Sequence, residues 1–176
     1  MGQPEKIFIS NASGTQLATM TMPPPKAFGF AAVLRDAEEK VIALVATAQT
    51  SRPDNFGGNS VNIWGVKPNE GQAPTVVAGI TCYLWARAKR PKVKMGSFGP
   101  TTFHNATGMA IAKGVNSHRR PYEYKFMTPG GDGLMLATFP SDIPKKEGMT
   151  FNIQCAKGVD ATLMICMLAA FQLAHD

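Results

Sequence analysis

Positive charge is the most concentrated chemical feature of this sequence. Residues 81–126 hold nine basic side chains (Arg87, Lys89, Arg90, Lys92, Lys94, Lys113, Arg119, Arg120 and Lys125) against one acid, Glu123. Residues 1–80 balance six basic with six acidic groups, and residues 127–176 are net −2, so the whole excess of +6 arises in the middle of the chain. Within WARAKRPKVK at 85–94, strand alternation places Trp85, Arg87 and Lys89 on one face and the small Ala86 and Ala88 on the other. Beyond Pro91, a turn or sheet edge, Lys92 and Lys94 repeat the same period of two. A second group, Arg119 and Arg120, lies between His118 and Pro121. If the groups converge, Arg87, Lys89, Arg90, Lys92, Lys94, Arg119 and Arg120 form a cationic patch beside an aromatic ring. Such a patch attracts phosphates, acidic lipid headgroups or acidic protein surfaces. The plainer alternative is a solvated strand face that keeps the protein in solution.

Signals for catalysis are sparse. His104, His118 and His175 lack metal-ligand spacing and read as surface or turn residues. Cys82, Cys155 and Cys166 form no CxxC pair and read as small apolar core residues. No GxSxG, GxxxxGK[ST] or strand-linked GxGxxG occurs. The run Gly130-Gly131-Asp132-Gly133 falls between two strands, where a tight turn explains it better than a phosphate loop. Asp36, Glu38 and Glu39 sit on a polar turn and do not form an acid–base pair. The expectation is a non-enzyme with no catalytic residue, metal or cofactor.

The elements that would position the patch read mostly as strands. At 176 residues, 44% hydrophobic and 17% charged, the chain suits one folded domain spanning 1–176. Its 17 glycines and 13 prolines are scattered singly, as punctuation between many short elements. Candidate strands cover 6–10, 15–20, 28–34, 41–47, 61–66, 75–87, 93–104, 108–115, 122–128, 134–139 and 149–156, with a bend or bulge expected within 93–104. The stretch 22–25 reads as an extended proline linker. The clearest local unit is the hairpin formed by 28–34 and 41–47 around the polar turn 35–40.

The C-terminus changes character. Residues 160–174 contain neither glycine nor proline, and Asp160 is placed to cap a helix N-terminus. Apolar residues occupy every face, which predicts burial on all sides. Fifteen residues rise about 22 Å, short of the ~30 Å hydrocarbon core of a bilayer. The reading is therefore a core helix inside a closed or nearly closed antiparallel β-barrel of about ten to twelve strands, mainly β with α+β character. Removing residues beyond Val159 is expected to expose the strand faces and cause aggregation.

Ten to twelve short strands followed by an apolar C-terminal helix resemble the tubby C-terminal-like superfamily, which includes tubby, phospholipid scramblases and LURP-one-related proteins. The local likenesses are AVLRDAEEKVIAL at 32–44, similar to a strand, Asp-containing turn and strand of LURP-one-related chains, and DATLMICMLAAFQLAHD at 160–176, similar to the family's core helix. The glycine-rich signature of tubby and the scramblase cysteine-rich and calcium-binding segments are absent. The resemblance implies a tubby-like member that binds phosphoinositide through basic residues on the barrel. The expected function is thus peripheral attachment to anionic lipid, phosphoinositide-like or phosphatidylserine, in a cytoplasmic setting at a membrane. Each Lys or Arg near such a surface contributes about 1 kcal/mol. The alternative is a structural subunit of a larger intracellular assembly, docked on acidic protein surfaces; ten methionines and Pro/Gly-rich loops suit that role. Nucleic acid fits poorly because stacking aromatics are few. Acylation of Gly2 fits poorly because residue 6 is Lys.

Overall fold

The computed structural model describes residues 5–23, 31–47, 60–68, 72–89, 100–117, 122–139 and 152–175. Twelve strands and one helix follow in order: β1 (Glu5–Ser10), β2 (Gln16–Met22), β3 (Ala32–Asp36), β4 (Val41–Thr47), β5 (Val61–Gly65), β6 (Thr75–Val77), β7 (Ile80–Lys89), β8 (Thr101–His104), β9 (Ala110–Ser117), β10 (Tyr122–Met127), β11 (Gly133–Phe139), β12 (Asn152–Cys155) and α1 (Ala161–His175). The strands form one antiparallel meander from β1 to β12, with β6 paired to the first residues of β7.

Antiparallel neighbours are joined at alternate ends of the sheet. At one end, four hairpins use the same five-residue turn. In residues 11–15, 36–40 and 105–109, the first residue's side-chain oxygen (Asn11, Asp36 or Asn105) accepts hydrogen bonds from the third and fifth backbone N–H groups at 2.9–3.1 Å. Its carbonyl accepts from the fourth N–H, and its own N–H donates to the fifth carbonyl. Thr128 opens the fourth copy, with its hydroxyl accepting from the Asp132 N–H at 3.0 Å. The fourth residue has positive φ in each: Gly14, Glu39, Gly108 and Gly131. A type I turn followed by one left-handed residue closes the hairpin this way.

The run 75–87, expected as one strand, is divided in two. Ala78 and Gly79 have φ of 50° and 77° and make a two-residue turn between β6 and β7. Positive φ at both positions gives the twist that a tight hairpin needs. Alternation alone hid this turn because Val77 and Ile80 continue the apolar pattern across it. Of the expected strand 93–104, Thr101–His104 is described as a strand; residues 93–99, the starts of the 28–34 and 149–156 strands and the second half of the 22–25 linker lie outside the described residues, and Met22 of that linker ends β2.

Helix α1 packs on β4, β5 and β7. Asp160 caps it, its carboxylate accepting from the N–H groups of Thr162 at 2.8 Å and Leu163 at 3.3 Å. Met164 and every residue from Cys166 to Phe171 are buried, together with Leu34, Val45, Ile63, Phe103 and Phe126 from the inner sheet face. Each large apolar side chain withdrawn from water contributes about 1.5–3 kcal/mol. Phe126 stacks obliquely on Phe103 with centroids 5.5 Å apart and meets Phe171 edge-on at 6.1 Å. Gly114 makes room for them: a Cβ there would lie 3.0 Å from both Phe126 and Phe171.

Burial of the helix is not uniform. Ile165, Leu168, Ala169 and Gln172, spaced to share one face, line an apolar cleft with Ile7 and Ile9 of β1, Met20 of β2 and Ile153 of β12. The first and last strands of the meander thus approach the same helix face without pairing, and the sheet is nearly closed. The polar Gln172 sits on the one helix face that meets this seam.

Candidate functional site: a cationic outer sheet face

Strand β7 separates the two environments residue by residue. Ala86 and Ala88 are fully buried, and Arg87 and Lys89 are exposed, as alternation requires. Small inward residues let β7 approach α1, and outward cations remain hydrated. Register with the neighbouring strands then builds a surface. Arg87 faces Asn62 on β5 and His104 on β8. Lys89 faces Thr102 on β8, which faces Lys113 on β9.

Side chains directly opposite on one sheet face stand about 5 Å apart, so Arg87 and His104 are neighbours. Lys89 and Lys113 lie two strand spacings apart, about 10 Å. Arg87 is held in place: its Nε donates to Asn62 Oδ1 at 3.0 Å, and Asn62 is itself buried. The four strands β5, β7, β8 and β9 contain no Asp or Glu. The positive face ends at β10, where Lys125 Nζ pairs with Glu123 at 3.0 Å.

His104 is the histidine of this face, at the end of β8. Burial, then the charges of Lys89 and Arg87, hold its imidazole below the usual histidine range. Its Nδ1 is buried with no hydrogen-bond partner. The cysteines differ in kind. Burial, followed by the charge of Asp160, pushes the Cys166 thiol up to about 12, and burial raises Cys82 and Cys155 as well, so all three remain protonated near neutral pH. Cys82 and Cys166 are buried as expected, whereas Cys155 on β12 is half-buried beside the seam.

Of the seven expected patch residues, Arg87 and Lys89 are described and share one exposed face; Arg90, Lys92, Lys94, Arg119 and Arg120 lie outside the described residues. Trp85 precedes Arg87 on β7 and is half-buried. Its ring covers Gly65, at a point where any Cβ would collide with the indole, and its Nε1 donates to the Lys67 carbonyl at 3.1 Å. It ties β7 to the segment after β5.

The sequence reading missed Asn62, His104 and Lys113 as members of the face, and it took His104 for a surface or turn residue. His104 ends a strand, half-buried beside Arg87 and Lys89 of β7. Only strand register carries that information, since Asn62 and Lys113 stand 25 and 26 positions from Arg87 in sequence. In comparisons with protein-family models, curated proteins and solved structures, nothing matches this chain.

Proposed function

We propose that the protein is a non-catalytic binding module that attaches through its cationic outer face to an anionic, phosphate-bearing membrane surface. The observation that carries this reading is the grouping of Arg87, Lys89 and Lys113 on strands free of acidic residues. Arg87 is already oriented by Asn62, so less conformational freedom is lost on binding. The resemblance to tubby-like proteins supports the same choice of ligand, a phosphoinositide-like headgroup. In sequence, Arg90, Lys92 and Lys94 follow β7, and Arg119 and Arg120 lie between β9 and β10. Among the described residues no helix is long and apolar enough to cross a membrane, which suits attachment by charge.

Sedimentation with phosphatidylcholine vesicles, with and without phosphoinositide or phosphatidylserine, tests the proposal. Binding is expected only to the anionic vesicles and should weaken as salt rises, because exposed charges are screened within about 8 Å at physiological ionic strength. Failure of the wild-type protein to sediment at any anionic lipid content would falsify the reading. A second reading, docking within a larger assembly, draws on Phe8 and Leu17, which are 64% and 51% exposed on the edge hairpin β1–β2. It predicts no vesicle binding at physiological salt, and loss of assembly on Phe8→Ser.

A further inference from the structure

We propose that His104 makes anion binding on this face proton-linked, so that the protein holds a phosphate-bearing surface more tightly in mildly acidic surroundings than at neutral pH. The inference rests on the anionic-surface reading above and adds its regulation.

The groups that face His104 are all neutral or positive. From β7, Arg87 stands directly opposite, and Lys89 lies one step along the same face. From β9, its partner is Ala110, and Lys113 is the titratable side chain of that strand, opposite Thr102. Asn62 on β5 is committed to Arg87. The turn 105–109 that follows His104 contains no ionisable side chain. No carboxylate on β5, β7, β8 or β9 stabilises an imidazolium, and the buried Nδ1 has no acceptor for a second proton. The free protein therefore carries a neutral His104 at neutral pH, in line with the lowered proton affinity that burial, Lys89 and Arg87 impose.

A phosphate-bearing anion over Arg87 and Lys89 reverses the local field. It offsets the two cations and attracts a charged ring, so the complex binds a proton more readily than the free protein does. By linkage, affinity then rises as pH falls. The gain is complete below the free protein's His104 midpoint, which lies under the usual value of about 6.5. It fades as pH rises through the higher midpoint of the complex. A one-unit difference between the two midpoints corresponds to as much as about tenfold in affinity.

Two measurements on the full chain separate this inference from the reading beneath it. The first is sedimentation with phosphoinositide-containing vesicles at about pH 5.5 and about pH 7.5, on either side of the ordinary histidine range. The wild type should bind several-fold more tightly at the lower pH. His104→Gln should lack that gain and keep only the pH dependence of the lipid phosphates, whose titration is common to both proteins. Equal pH dependence in the two overturns the inference. The second is NMR titration of the His104 ring, assigned by comparison with His104→Gln, with and without inositol hexakisphosphate as a soluble polyanion. The midpoint should rise when the polyanion is added. An unmoved midpoint in a protein that still binds vesicles overturns the proton linkage and leaves membrane attachment standing. A raised midpoint without vesicle binding keeps the proton-linked anion site and removes the membrane; neither effect removes both.

Discussion

The inner and outer faces of β7 to β10 share one backbone and have opposite tasks. Inward, Ala86, Ala88, Phe103, Ala112 and Phe126 are buried against α1 and one another. Outward, Arg87, Lys89 and Lys113 meet no acidic residue on β7, β8 or β9. Burial fixes the register of the inner face, because a slip by one residue would bring the cations into the core. That register in turn sets which cations become neighbours outside. The function proposed for the outer face therefore depends on the packing of the inner one, whereas the packing does not depend on the charges. The difference between the faces is open to direct test.

The largest expected effect is on the inner face. Phe126→Ala removes a ring packed against Phe103 and Phe171 and should destabilise the protein by about 3–5 kcal/mol in urea unfolding. An effect below ~1 kcal/mol would mean that the aromatic cluster is not the core of this part of the sheet. Gly65→Ala, which drives a methyl group into the Trp85 ring, should cost about 1–3 kcal/mol through overpacking. Its signature is a change in tryptophan fluorescence.

On the outer face, Lys89→Gln with Lys113→Gln should leave stability within about 0.5 kcal/mol of wild type. At about 1 kcal/mol per cation, the same pair should weaken anionic-vesicle binding by about 30-fold. Substantial unfolding of this variant would break the separation between the faces. The smallest effect is expected in the repeated turn. Glu39 holds the left-handed position that glycine fills in the other three copies, so Glu39→Gly should stabilise by about 0.5–1 kcal/mol, offset in part by added freedom of the unfolded chain. Calorimetry should show a rise of a few degrees, and vesicle binding should not change.

The repeated turn was already written in the chain. The turns at 11–15, 36–40, 105–109 and 128–132 close one end. Alternation in an antiparallel meander sends every second connection to the same end.

The sequence by itself determined the strand-rich class, the capped apolar helix and the inward and outward faces of β7. Each depends on short-range quantities: side-chain period, turn chemistry at Asn11, Asp36 and Asn105, and the Asp160 cap. It left open the hairpin at Ala78 and Gly79, because the sign of φ at a non-glycine residue leaves no trace in an apolar pattern. It also left open the helix face at the seam, since an apolar stripe looks the same whether a strand covers it or not. Only the tertiary structure placed His104 beside Arg87 and Lys89 and gave Arg87 its partner Asn62. Those neighbours are chosen by register across different strands, and register is settled by the packing of the whole inner face around α1.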